Sequence, residues 1–62
     1  MKIREIRQRK GLTLQELGKK AGGMSYTFLS NVETGKADPS LSTLRRLAKA
    51  LKVRVVDLVR DE

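Results

Sequence analysis

The chain has no cysteine, no histidine and no tryptophan, and only one proline, one phenylalanine and one tyrosine in 62 residues. Without cysteine there is no disulfide framework. Without cysteine or histidine there is no thiolate or imidazole metal site, so zinc-finger folds are excluded. The same absences leave no case for an enzyme: the acidic residues are scattered, and no glycine-rich phosphate loop follows a strand. No cofactor and no metal are expected. No apolar run approaches the ~20 residues that span a bilayer, and no long apolar segment follows the basic N-terminus as in a secretory signal. Repeats, low-complexity tracts and linkers are missing too. The expectation is a single domain over residues 1–62, ordered except for its last few residues. At this size a core is marginal, so stability must come from helix packing, with a partner chain as a further source.

Acidic residues are also scarce. Seven Asp and Glu face 14 Lys and Arg, a net charge of +7. Residues 1–20 carry seven of the basic side chains (Lys2, Arg4, Arg7, Arg9, Lys10, Lys19 and Lys20) against Glu5 and Glu16. That density of positive charge favours a polyanion partner, nucleic acid before an anionic membrane surface. The plainer alternative is that many of these charges only solvate helix faces.

What is present is organised around Thr13 to Glu33. Thr13 and Glu16 form a capping box, with Leu12 and Leu17 at the staple positions. Leu14, Leu17 and Ala21 make one apolar face at helical spacing. Gly22 and Gly23 stop that helix, and Ser25 caps another, with Met24 and Leu29 as a second staple. Leu29 and Val32 point to the core, leaving Tyr26, Thr27, Ser30 and Asn31 on the other side. Two helices joined by a glycine turn, the second showing polar groups outward, is the helix-turn-helix pattern. Plain helical bundles also contain such pairs.

The flanks extend the pattern. Residues 2–10 read as helix one, with Ile3 and Ile6 inward, Gly11 as its stop and Arg7 at the border of the buried side. Gly18 inside helix two costs roughly 1 kcal/mol against alanine, which implies close approach of another backbone, expected to be helix three. Gly35 and Pro39 bound a loop. Ser40 then caps helix four, whose apolar face is Leu41, Leu44, Leu47, Ala48 and Leu51. Arg45, Arg46 and Lys49 fall mostly on its other faces. Val53 to Val56 has strand-like propensity, but an isolated strand has no partner. A short fifth helix from about Val55 to Arg60 is expected instead, poorly capped by Arg54, with Val55, Leu58 and Val59 facing inward or another chain.

These residues resemble the phage repressor and Cro-type (XRE) helix-turn-helix family. The likeness is carried by Ile3 to Arg7, Lys10 to Thr13, Gln15 to Leu17, Ser25 to Glu33, Gly35-Lys36, Pro39 to Leu41, Leu44 to Leu51, Val53 and Asp57-Leu58. It covers nearly the whole chain. It implies an all-α, compact five-helix, lambda-repressor-like domain of a cytoplasmic, bacterial, archaeal or phage-encoded transcriptional regulator, a repressor above all. Its partner would be double-stranded DNA, with helix three in the major groove.

Carried over by position, Tyr26, Thr27 and Asn31 match base-contacting positions, with Ser30 and Phe28 at the margin. Asn suits a bidentate pair with adenine, and Thr offers a hydroxyl or a methyl group. Phe28 could touch a thymine methyl, or shield the junction of helices two and three. Thr13, Ser25, Thr34, Lys36, Ser40 and Lys10 are the expected phosphate contacts, together with the free N–H groups that begin helices two and four. Arg7 and Glu33 match a pair that forms an internal salt bridge in some members. Two departures stand out: Leu14 occupies a position where many members hold a phosphate with glutamine, and the turn has two glycines where one is usual, which changes the angle expected of helix three. The resemblance further implies a homodimer on a two-fold operator, assembled through helices four and five, if only on DNA. The alternatives are an antitoxin that binds a protein toxin around Val55, Val56 and Val59, and a protein- or membrane-binding module with incidental charge.

Overall fold

Five helices follow in chain order: α1 (Ile3–Arg9), α2 (Leu14–Lys20), α3 (Tyr26–Glu33), α4 (Leu41–Leu51) and α5 (Val55–Val59). The computed structural model describes residues 1–60, so the expectation for the chain's very end falls partly outside it. No strand occurs among the described residues; Val53 to Val56 leads into α5 instead.

The starts of the helices follow local chemistry. Thr13 Oγ1 accepts the Glu16 N–H at 3.1 Å, and Glu16 Oε1 accepts the Thr13 N–H at 2.9 Å, a closed capping box. Ser25 Oγ accepts the Phe28 N–H and Ser40 Oγ the Thr43 N–H. Arg54 gives the fifth helix no side-chain cap, as expected of a poor cap residue. The bond comes from inside instead: the Asp57 carboxylate accepts the Arg54 N–H at 2.9 Å and lies beside the Arg54 guanidinium. Those two bonds, the backbone one first, hold the Asp57 carboxyl below its ordinary pKa. Lys2, before α1, gives no side-chain cap; its N–H donates to the Leu58 carbonyl at 2.8 Å, tying the start of the chain to α5.

All five helices contribute to one core. It holds Ile3 and Ile6, Leu17 and Ala21, Leu29 and Val32, Leu44, Leu47, Ala48 and Leu51, and Leu58. Leu58 is fully buried, worth about 1.5–3 kcal/mol of apolar transfer, and it anchors a helix too short to stand alone. Leu41 departs from its expected place on the apolar face. It is 55% exposed, because the first residue of α4 projects past the edge of the core. Val56 and Val59 are also exposed on α5, while Val55 is half-buried.

Gly18 is explained by a different neighbour from the one expected. A Cβ there would collide with the Met24 carbonyl oxygen, in the turn ahead of α3, and would meet the Leu29 side chain at 3.4 Å. α2 therefore ends with its backbone against the turn. Gly22 and Gly23 both hold positive φ, 90° and 92°. The Gly23 N–H returns to the Gly18 carbonyl and the Gly22 N–H to the Lys19 carbonyl, a Schellman ending that spends one glycine on the stop and one on the reversal. At the end of α4 that left-handed place is taken by Lys52, φ 58°, where a non-glycine residue costs about 1 kcal/mol.

Candidate nucleic-acid interface

α3 carries no charged residue before Glu33, and its apolar side, Leu29 and Val32, is buried. That leaves the neutral polar side outward. Tyr26 is 57% exposed, Thr27 is exposed, and Ser30 and Asn31 are half-buried. No side-chain polar group of these four is hydrogen-bonded among the described residues, and none is buried. The Asn31 amide and the three hydroxyls are therefore open to an external partner. Phe28 is half-buried and packs against the core.

Both ends of α3 are pinned. At its C-terminal end the Glu33 side chain is only 1% exposed and lies between two arginines. Arg7 Nε donates to Oε2 at 2.7 Å and Arg7 Nη2 to Oε1 at 3.2 Å, while Arg7 Nη1 donates to the Leu12 carbonyl. Arg4 Nε adds a bond to Oε1 at 3.2 Å from the exposed side. The sequence singled out Arg7 and Glu33, but not Arg4. Its signal was present: Arg4 lies one turn before Arg7 on the same helix edge.

At its N-terminal end α3 follows the two-glycine turn, and that turn is held by Arg46 of α4. Arg46 Nε donates to the Ala21 carbonyl at 2.9 Å and Nη2 to the Gly22 carbonyl at 3.1 Å. The guanidinium satisfies carbonyls at the end of α2 that its own helix cannot. Sequence reasoning placed Arg46 on an outer face and missed this role. No local pattern reveals it, since the partners lie 24 and 25 residues away.

The expected phosphate contacts separate into kinds. The capping box occupies the N–H groups of both Thr13 and Glu16, which leaves those of Leu14 and Gln15 at the start of α2. Those Thr13 bonds, backbone first and side chain second, also hold the Glu16 carboxyl below its ordinary pKa, so it stays ionised. Ser25 uses a lone pair for its cap and keeps its hydroxyl hydrogen. Thr34 donates its hydroxyl back to the Ser30 carbonyl at 2.9 Å, so that hydrogen is committed within α3 and its turn. Ser40 lies in a local hydroxyl cluster with Ser42 and Thr43. Lys36 is exposed just after α3. Lys10 lies apart from these residues: it lines hollows with Arg9, Lys20 and Lys52, at helix C-terminal ends, and with Lys2 at the start of α1.

No group of His, Cys, Asp and Glu among the described residues could hold a metal ion, and no described helix is long and apolar enough to cross a membrane. Residues 3–58 match the family model described as helix-turn-helix. The chain is 40% identical over 58 residues to the HTH-type transcriptional regulator DdrOP3 of Deinococcus deserti, covering 94% of this chain and 44% of that protein. It is 38% identical over 61 residues to the immunity repressor protein of Bacillus phage phi105, covering 98% of this chain and 42% of that one. An uncharacterized HTH-type transcriptional regulator of Archaeoglobus fulgidus is 39% identical over 57 residues, covering 92% and 80%. The chain thus spans less than half the length of the Deinococcus and phage relatives. No solved structure matches it significantly. With five helices around one core, an uncharged outward face on α3 and a family model matched over residues 3–58, the chain belongs to the helix-turn-helix family.

Proposed function

We propose that this domain reads a short two-fold-symmetric duplex sequence as a homodimer and represses transcription from it. The observation that supports this most is the outward side of α3: unpaired, neutral, polar side chains on a helix pinned at both ends. Neutral groups that keep their donors and acceptors are what base-edge recognition needs, because charge alone does not discriminate bases. In this reading Asn31 pairs with adenine, Thr27 and Tyr26 touch neighbouring base edges, and Ser30 borders the contact. Ser25, Lys36, Ser40, Thr13 and the first-turn N–H groups of α2 and α4 hold phosphates. Thr34 contributes by supporting α3 rather than by donating. Val56 and Val59, exposed side by side on α5, supply the apolar surface for the second copy. In this reading the protein meets its DNA in the cytoplasm.

The same two valines would equally serve a protein toxin, the antitoxin alternative. Selection from a random duplex library at low and moderate salt separates these readings. Recovery of one two-fold motif at both salts is the expected result. Binding only at low salt, with no enriched motif, would overturn the proposal and direct attention to a protein partner.

A further inference from the structure

Three lysines end three helices around one dent. Lys10 closes α1, Lys20 is the last residue of α2, and Lys52 follows α4. They line a concavity of about 180 Å³ to which no acidic residue contributes. None of the three is in a salt bridge among the described residues; Glu16, exposed one turn before Lys20, feels that lysine's charge without pairing with it. The basic surface continues on both sides. Lys10 is shared with a groove that includes Lys2, Arg9 and Arg60 beside the single acidic residue Asp57, and Lys20 with a hollow that includes Arg46 and Lys49.

Cations at helix C-termini ordinarily complement the macrodipole, and each such end presents roughly half a negative charge. Here the complement is already supplied. Arg7 and Arg9 stand in the last turn of α1, Lys19 and Lys20 in that of α2 and Lys49 in that of α4. Lys10 and Lys52, one position past their helices, are charge beyond it. Lys52 also keeps its ammonium at a backbone position with φ 58°, one that glycine would occupy without strain. An outlier of that kind, with like charges around it, directs attention to a ligand.

The dent lies away from the recognition face. None of the residues lining the three hollows falls within 23–45. Of the residues expected to hold phosphates, Thr13 and Ser40 begin α2 and α4, whereas Lys20 and Lys52 end those helices, roughly 10 and 18 Å away at 1.5 Å per residue, and Lys10 alone lies at the dent. Lysine-rich and without an aromatic anchor, the surface fits phosphodiester groups better than a protein partner.

We infer that the Lys10–Lys20–Lys52 dent and its basic flanks form a second, sequence-independent phosphodiester-binding surface that holds another stretch of duplex DNA while α3 holds its own. The proposed DNA reading enters only in assigning the first duplex to α3. The test uses the full chain, a donor-labelled duplex carrying the selected motif and an acceptor-labelled duplex of unrelated sequence. The wild type brings the two into energy transfer, more weakly as salt rises. Lys52→Gly, and the combined Lys20→Gln and Lys52→Gln, weaken transfer roughly tenfold or more while selecting the same motif. Lys52→Gly relieves the left-handed strain and melts no lower than the wild type, so its loss of transfer cannot come from unfolding.

Absence of transfer with the wild type, or unchanged transfer in both variants, overturns the inference. Equal loss of motif binding in the variants does so as well, since it would assign the lysines to the primary interface. A wild type that selects no motif, yet captures unrelated duplexes through these lysines, would sink the operator reading and leave this one standing.

Discussion

The outward face of α3 and the lysine end of the molecule differ in almost every physical respect. The first is uncharged over Tyr26, Thr27, Ser30 and Asn31, rests on buried Leu29 and Val32, and is held in place by arginines from two other helices. The second is built from flexible cations at three helix ends, with no salt bridge fixing Lys10, Lys20 or Lys52. The lesson is a division of labour. Attraction to a polyanion needs charge but little geometry, and lysines on mobile stems suffice. Discrimination needs geometry but little charge, and geometry is expensive to hold, so the buried ionic bonds are spent on anchoring α3.

The comparison breaks most completely at Glu33. Glu33→Gln leaves the largely buried Arg7 without its counter-charge and should cost about 3 kcal/mol of stability, the lower end for a broken buried pair because Arg4 is half exposed. Urea denaturation measures this. An unchanged midpoint would show that the pair does not hold α3 to α1.

Next in size is the contrast between Asn31→Ala and Lys36→Gln. The first should lose about 1–3 kcal/mol for the selected sequence and little for random duplex. The second should weaken all duplexes alike and lower the salt slope by about 0.9. If both variants weaken all sequences equally, α3 does not read bases.

The smallest effect sharpens the comparison rather than breaking it. Glu16 and Asp57 have lowered carboxyl pKa values in the fold, because each accepts a cap N–H. Their contribution is present above the ordinary carboxylate range and fades as pH falls through the folded value. Melting temperature should therefore decline on acidification. Glu16→Gln should flatten part of that decline, modestly since the group is exposed, and leave the lysine end untouched. An unaltered acid limb would show that the capping box contributes nothing measurable.

Much of the fold was legible because its signals are local. Thr13 with Glu16, Ser25, Ser40 and the stops at Gly11, Gly22 and Gly35 act within four or five residues, and each appears where the pattern placed it. The outward side of α3 was legible for the same reason, since helical spacing assigns Leu29 and Val32 to one side and Thr27 and Asn31 to the other. Leu41 shows where periodicity fails: spacing gives the direction of a side chain and not where the core stops. Arg54 shows the reverse, a poor cap residue served by Asp57 three positions on.

Composition and spacing by themselves determined an all-helical chain, its caps, its core stripe and its lack of thiolate or imidazole chemistry, because these depend on side-chain type and on contacts one turn away. Tertiary structure alone decided that Arg4 joins Arg7 on Glu33, that Arg46 holds the two-glycine turn, that Gly18 yields to the Met24 carbonyl, and that Lys10, Lys20 and Lys52 meet. Three of these bring together residues far apart in the chain, and the fourth needs the turn to fold back on its own helix. Each exists only once the buried apolar faces have fixed how the helices lie against one another.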